Sequence, residues 1–444
     1  MPRAPPNRKK PRAPVKSKKL PLTTAEVSAK KQTDKNALAL LAKAPVIEMK
    51  PLNIKTRQEI EHAGDMLEEI GLVICNVHDS EEDRLAFQKE VVTQVWNSVL
   101  SEQALTPEKE AQVRYITDEI SLKWYTGDLP KWLEKELNTA FKKMIFLHSG
   151  FGAPSSNKSF NLPCSWKLRC SKRLCKFARY YLGTKNVYPS LDRVVCKCPG
   201  NGEHDFLHKD QDINTPVRTK KTLHGKYVAT KTTFLFVPNS HKDHEGMYHT
   251  YRPLYPNTSG DKWGLDPTKD DPFNLFTRAR QVIVEGGNIV WWDDSTVHGV
   301  LKNTSKKIGF GIYLGFDTEI DREGYFEKTG KREYQDRFDV YSNGVAPQLF
   351  PSLDRVSLVP KRFLNFHSIL GNYIEGRMDK TNPQYDFTKR KLKRKGPETY
   401  VPHLVERPPV DYVPPPLTRR GQEMLVGKSR VEQFFPTEHA DAME

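Results

Sequence analysis

The run QVIVEGGNIVWWDDSTVHGV, residues Gln281–Val300, holds two apolar stretches separated by Glu-Gly-Gly-Asn. Short apolar runs bounded by glycine and asparagine read as β-strands. His298 stands just beyond the second of them, across the polar residues Asp293 to Thr296. The same texture extends on both sides, from 187 to 320. DRVVCKC (Asp192–Cys198), TTFLFVP (Thr232–Pro238) and IGFGIYLGF (Ile308–Phe316) are β-rich and broken by Gly, Pro, Asn and Asp.

Ahead of this region the pattern is helical. In TRQEIEHAGDMLEEIGLVICNV, residues Thr56–Val77, the side chains Ile60, Met66, Leu67 and Ile70 share helical spacing, Gly71 closes the helix and LVICNV is a short strand. Ser80 and Asp83 fit a capping box that opens a second helix over EEDRLAFQKEVVTQVWNSVL. Helices first and strands afterwards predict an α+β arrangement, with helices outside a sandwich or barrel.

The chain has 444 residues and a formal net charge of +15. Residues 1–35 carry 11 Lys and Arg against Glu26 and Asp34, a net of +9, and KRKLKRK (Lys389–Lys395) adds +6. These two segments account for the whole excess, so the charge belongs to tails and not to a basic face of a folded domain. Residues 1–45, rich in Pro, Lys and Ala, are expected to be disordered; 326–400 are mixed and polar, with the basic run; 401–444 are expected to form an extended, proline-rich tail. Such tails suit contact with nucleic acid through phosphates, or nuclear import. No run approaches the roughly eighteen apolar residues of a membrane span, so no membrane partner is expected. The six cysteines do not form a disulfide framework or a zinc-knuckle spacing, which predicts reduced thiols and an intracellular protein.

One further stretch is dense in metal-binding groups. GEHDFLHKDQD, residues Gly202–Asp212, has two histidines and four acids. On a strand or its end, His208 and Asp210 project to the same side, whereas the adjacent His204 and Asp205 face opposite ways. With His298 they would make two imidazoles and one carboxylate, a donor set that leaves positions open on a non-haem Fe(II) ion. The other reading is a solvated loop with a stray histidine. A second H-x-D, His241 and Asp243 in SHKDHEG, also precedes His298.

The order of these motifs settles the preference. LEEIGLVICNV, the H-x-D at 208–210, TTFLFVPNSHKDHEG, EGGNIVWWDDSTVHG and NTSKKIGFGIYLGF together resemble the phytanoyl-CoA dioxygenase-like branch of the Fe(II)/2-oxoglutarate-dependent dioxygenases. The resemblance covers about 55–325. It implies a double-stranded β-helix (jelly-roll, cupin-like) barrel with flanking helices. It also implies Fe(II) on His208, Asp210 and His298, with His241 shaping a turn. 2-Oxoglutarate would be the cosubstrate, decarboxylated to succinate as a substrate C–H bond is hydroxylated. The family's usual Arg on the last strand is missing. Lys302, Lys306 and Lys307 are present instead, and Lys307 shares a face with Gly309, Gly311 and Tyr313, so Lys307 is expected to pair with the far carboxylate. Asp293 or Asp294 would orient His298 from behind. The segment QDINTPVRTKKTLHGKYVAT and the insertion 242–285 are expected at the pocket rim; they name no substrate. A non-catalytic protein on the same scaffold, held to nucleic acid by its tails, and a DNA nucleobase hydroxylase are the alternatives.

Overall fold

The structure, a computed structural model, describes residues 39–100, 160–197, 207, 222–242, 274–301, 309–320, 332–343, 385–386, 391–392 and 412–436. Of the tail expected over residues 1–45, residues 1–38 lie outside these, whereas Leu41 and Ala44 are buried in an apolar cluster; most of the basic run also lies outside, and its Lys391–Leu392 pairs with Tyr385–Asp386.

The first elements are strands β1 (Val46–Ile47) and β2 (Leu52–Asn53), helix α1 (Arg57–Ile70), strand β3 (Leu72–Asn76) and helix α2 (Glu81–Leu100). Helix α1 starts because the Thr56 side chain accepts from Glu59 N while the Glu59 carboxylate returns to the Thr56 amide, a reciprocal cap. It stops because Gly71 takes φ +89, where a side chain is strained. Ser80 caps α2 by accepting from Asp83 N at 3.0 Å, as its spacing predicts. Two further helices, α3 (Pro163–Arg169) and α4 (Lys172–Leu182), lead into β4 (Tyr188–Pro189) and β5 (Val194–Lys197).

Strands β6 (Leu223–Val228) and β7 (Thr232–Phe236) follow, then helix α5 (Leu275–Arg278) and strands β8 (Arg280–Val284), β9 (Asn288–Asp293), β10 (His298–Val300) and β11 (Gly309–Asp317). The larger sheet has the order β2-β3-β9-β6-β11-β4, with β5 also on β11; the smaller has the order β1-β8-β7-β10. Ladders β2–β3 and β1–β8 are parallel and the others of these sheets antiparallel. Between β6 and β11 the chain passes repeatedly from one sheet to the other, and each described ladder stays within its own sheet. The described residues are therefore α+β, with two main sheets, a separate two-stranded ladder and no described closure into a barrel.

Alternation divides the core. Leu223, Tyr227, Ile289, Trp291, Phe310, Ile312, Leu314 and Phe316 face α1, α2, α3 and α4, while Val228, Val290 and Trp292 meet Phe234, Phe236, Val282 and Val284 of the smaller sheet. Two expectations are corrected here. LHGKYV is a fully buried central strand, not pocket rim, and the insertion 242–285 contains α5 and the whole of β8. The stretch 401–444 is not extended throughout. Past the prolines, Thr418 accepts from Gly421 N and caps helix α7 (Arg419–Val426), and α8 (Val431–Phe434) follows. Both pack with α6 (Glu333–Asn343) and α3, through Trp166, Leu191, Val340, Leu425 and Val431. A composition rich in proline hid an amphipathic turn of helix that buries Met424, Leu425 and Val426.

Cys75, Cys164 and Cys175 are buried free thiols and Cys170 is a partly buried one. Burial pushes Cys164 up to about 12 and Cys170 up to about 11, which keeps them protonated and unreactive. Among the described residues no helix is long and apolar enough to cross a membrane.

Candidate metal centre

His298 opens β10, opposite Phe236 of β7. What places it is the turn that ends β9. Thr296 N donates to Asp293 O at 2.9 Å, and Asp293 Oδ1 accepts from Ser295 N at 2.9 Å and from the Ser295 hydroxyl. An aspartate at the first turn position organises the backbone ahead of it in this way. The turn is also tied on its flanks. Thr296 Oγ1 donates to Gly71 O at 2.8 Å, Val297 N to Ser240 Oγ at 2.8 Å, and Val237 N to Val297 O at 2.9 Å.

The imidazole of His298 is 4% exposed. Its Nδ1–H donates to Thr296 O at 3.0 Å. That bond selects the neutral tautomer whose Nε2 carries the lone pair, the form a metal takes. Phe234 stacks on the ring at 5.6 Å and 6°, and Trp292 leans on it at 5.0 Å. A backbone carbonyl thus holds the ring at Nδ1. Asp293 holds this turn through its first carboxylate oxygen, and the Tyr181 hydroxyl donates to the second. Asp294 is buried next to it.

His208, Asp210 and Lys307 lie outside the described residues, as do Lys302, Lys306, His204, Asp205 and Asp243. Leu207, adjacent to His208, is described. It is buried in an apolar cluster with Leu235, Val237 and Val297, and Val297 immediately precedes His298. The histidine of the second H-x-D has another role. His241 donates Nε2–H to Glu68 O at 2.8 Å, in the last turn of α1, and a Cβ on Gly71 would stand 2.5 Å from its Nδ1. Asn239, one residue after Pro238, takes φ +62 and donates its N–H to Ile70 O at 2.9 Å. The turn 238–241 therefore clasps the end of α1. Among the described residues no three His, Cys, Asp or Glu side chains stand together as a metal site.

Sequence reasoning missed the polar side chains of β6. His224 and Lys226 are 6% and 5% exposed and lie on the face of β6 that meets the smaller sheet. The alternation Leu-His-Gly-Lys-Tyr-Val carried the signal: one face apolar, the other polar. His224 stacks on Trp292 at 6.2 Å, and Lys226 pairs in register with Tyr313 of β11.

No family model matches the chain, and no curated protein matches it. Solved structures do. The non-heme alpha ketoglutarate dependent carbocyclase SnoK from nogalamycin biosynthesis aligns with TM-score 0.38 and 14% identity, over 62% of this chain and 91% of its own. AviO1 from Streptomyces viridochromogenes Tue57 aligns with TM-score 0.33 and 14% identity, over 58% and 94%. The epimerase SnoN, in complex with Fe3+, alpha ketoglutarate and nogalamycin RO, aligns with TM-score 0.34 and 13% identity, over 60% and 86%.

Proposed function

We propose that the chain is an Fe(II)- and 2-oxoglutarate-dependent dioxygenase that hydroxylates a substrate C–H bond, with His208, Asp210 and His298 as the iron ligands. The setting of His298 carries the reading: a buried imidazole, fixed in the ligating tautomer by Thr296 O and walled by Phe234 and Trp292. The burial of Leu207 beside Val297 supports bringing the 208–210 stretch to the same place. Two imidazoles and a carboxylate suit Fe(II) and leave room for a bidentate cosubstrate and dioxygen. The bound iron would supply the oxidising chemistry; the chain holds its ligands, and its aromatic walls keep water from the imidazole. The order of the strands supports a double-stranded β-helix, and the order of the motifs supports the phytanoyl-CoA dioxygenase-like branch. Lys307 is assigned to the far carboxylate of 2-oxoglutarate.

The test is conversion of 2-oxoglutarate to succinate by the full chain with Fe(II), which needs no knowledge of the substrate. Asp210→Ala and His298→Ala should abolish it, and Asp243→Ala should not. No turnover and no binding of Fe(II) by the folded wild-type chain would favour the non-catalytic scaffold. The basic segments 1–35 and 389–395 support a phosphate contact with nucleic acid, and with it the DNA-directed alternative. If deleting residues 1–45 leaves duplex affinity and its salt dependence unchanged, the N-terminal segment is not that contact.

A further inference from the structure

One row of residues crosses the inner face of the larger sheet at the level of His298. Trp292 of β9 stands opposite His224 of β6, and His224 opposite Gly315 of β11. Ser190, just past β4, donates its N–H to Gly315 O at 2.8 Å and ends the row. At the other end Trp292 leans on the His298 imidazole at 5.0 Å, and His224 stacks on Trp292 at 6.2 Å and 19°. The row therefore runs from the wall of the candidate metal centre to the edge of the sheet. Three strand spacings, about 14 Å in all, separate Trp292 from Ser190.

Ser190 is the member of this row that the fold does not explain. It is 3% exposed, and among the described residues its Oγ finds no hydrogen-bond partner. A buried hydroxyl left in that state destabilises the free protein, and folded chains keep few of them. The hydroxyl also has a direction. A Cβ on Gly315 would stand 2.7 Å from Ser190 Oγ, and Gly315 shares a strand face with Tyr313, which packs against the apolar cluster between the sheets. The oxygen thus lies over Gly315, on the side that faces the smaller sheet, where the glycine puts no side chain in its way.

We propose that Ser190, seated over Gly315, is a binding subsite for a hydroxyl or ketone oxygen on an otherwise apolar molecule whose body lies along the row toward Trp292. A serine hydroxyl both donates and accepts, so it serves either group. Desolvated here, an ionised group would lose more hydration than one hydroxyl returns. The rings of His224 and Trp292, with Phe234 and Val290 in the same apolar layer, suit a flat or aliphatic body. The subsite rests on this geometry; that the bound molecule is the one oxidised rests on the oxygenase reading, and Ser190 would then hold its polar end while the reacting carbon lies at the far end of the row.

The probe is para-fluorophenol, with fluorobenzene as its counterpart lacking the hydroxyl, each titrated into the full chain and followed by fluorine NMR. Wild type should bind the phenol more tightly than fluorobenzene. Ser190→Ala should weaken the phenol by about 5- to 10-fold, the worth of one neutral hydrogen bond, and leave fluorobenzene unchanged. Ser190→Thr, which keeps the hydroxyl, should retain most of the affinity. Ligand-free Ser190→Ala should unfold at or above the wild-type midpoint, because no internal bond is lost. Equal affinity for the two probes, no phenol binding by wild type at millimolar concentration, or binding indifferent to Ser190 overturns the proposal. So does a lower midpoint in Ser190→Ala, which would show the hydroxyl already spent within the protein. Repeating the titration on the anaerobic Mn(II)-loaded chain tests the link to the centre: the metal should speed relaxation of the bound fluorine, and an unrelaxed signal with Mn(II) bound overturns that link. Phenol bound through Ser190 by a folded chain that takes up no Mn(II) would sink the oxygenase reading and leave the subsite standing.

Discussion

The hydroxyl of Tyr181, in the last turn of α4, donates to Asp293 Oδ2 at the end of β9, and both groups are buried. The bond ties a helix of the outer layer to the turn that carries His298. Tyr181→Phe should lower stability by about 1–3 kcal/mol, because it leaves a buried carboxylate oxygen short of a partner. Denaturant unfolding reads that loss. If the turn depends on the bond, Mn(II) affinity falls as well. An unaltered midpoint would mean that the carboxylate is satisfied without Tyr181.

Gly71, His241 and Thr296 meet at the end of α1. A Cβ at Gly71 would stand 2.5 Å from His241 Nδ1 and 2.8 Å from Thr296 Oγ1, at a φ of +89. Gly71→Ala should therefore cost at least about 2 kcal/mol, from backbone strain and the forced shift together. His241→Ala should destabilise by about 1–3 kcal/mol yet keep metal binding, because its ring nitrogen serves Glu68 O. Electron paramagnetic resonance with Mn(II) separates the cases. Loss of the metal in His241→Ala, with Asp210→Ala unaffected, would move the centre to the second H-x-D.

His78 is half-buried, with Nε2 3.2 Å from the Tyr227 hydroxyl and its ring edge-on to Tyr227. Burial lowers its pKa below the ordinary 6.5, and Arg84 acts in the same direction. The unfolded chain then binds the proton more tightly than the folded one. Stability from this group is fully present above about 6.5 and is lost as pH falls toward the folded value. Tm should fall between pH 7 and 5, and less steeply in His78→Gln. Equal slopes for the two proteins would remove His78 as the cause.

Arg337 of α6 is buried and donates Nε–H to Leu425 O and Nη2–H to Met424 O, at 2.8 and 3.0 Å. These carbonyls lie at the end of α7, where no further turn of that helix satisfies them. Arg337→Met should cost about 3 kcal/mol, through the lost charged contacts and the orphaned carbonyls. Protease cleavage within 412–436 should then become rapid. Resistance equal to wild type would show that apolar packing alone holds the segment.

Much of the fold can be read from residue types. Gly71 ends a helix because only glycine sits easily at its backbone angles, and Ser80 with Asp83 starts the next. The alternation of Phe310, Ile312, Leu314 and Phe316 against Gly309, Gly311 and Tyr313 places β11 correctly between two layers. What escaped were elements whose stabilising groups are distant in sequence. Strand β6 carries His224 and Lys226 inward, where a hydrophobic pattern expects apolar groups, so it read as rim. Helix α7 follows a proline run and is stabilised by α6 and α3 more than by its own sequence. The place of His298 just past an apolar strand was legible, but the partner of its ring was not. The carbonyl of Thr296 has no signature in sequence, whereas the neighbouring aspartates do.

The position of Met424 also constrains how the chain is made. Its side chain lies in the same apolar cluster as Val73, Trp96 and Trp291, and its sulfur is 3.8 Å from Cys175 Sγ. Synthesis proceeds from the N-terminus, so the layer of helices over the larger sheet stays incomplete until residue 424 has left the ribosome. Until then the part of α4 that meets Met424 lacks one of its apolar neighbours. The side of α4 at Cys175 is therefore bare in the nascent chain until the C-terminal segment arrives to cover it.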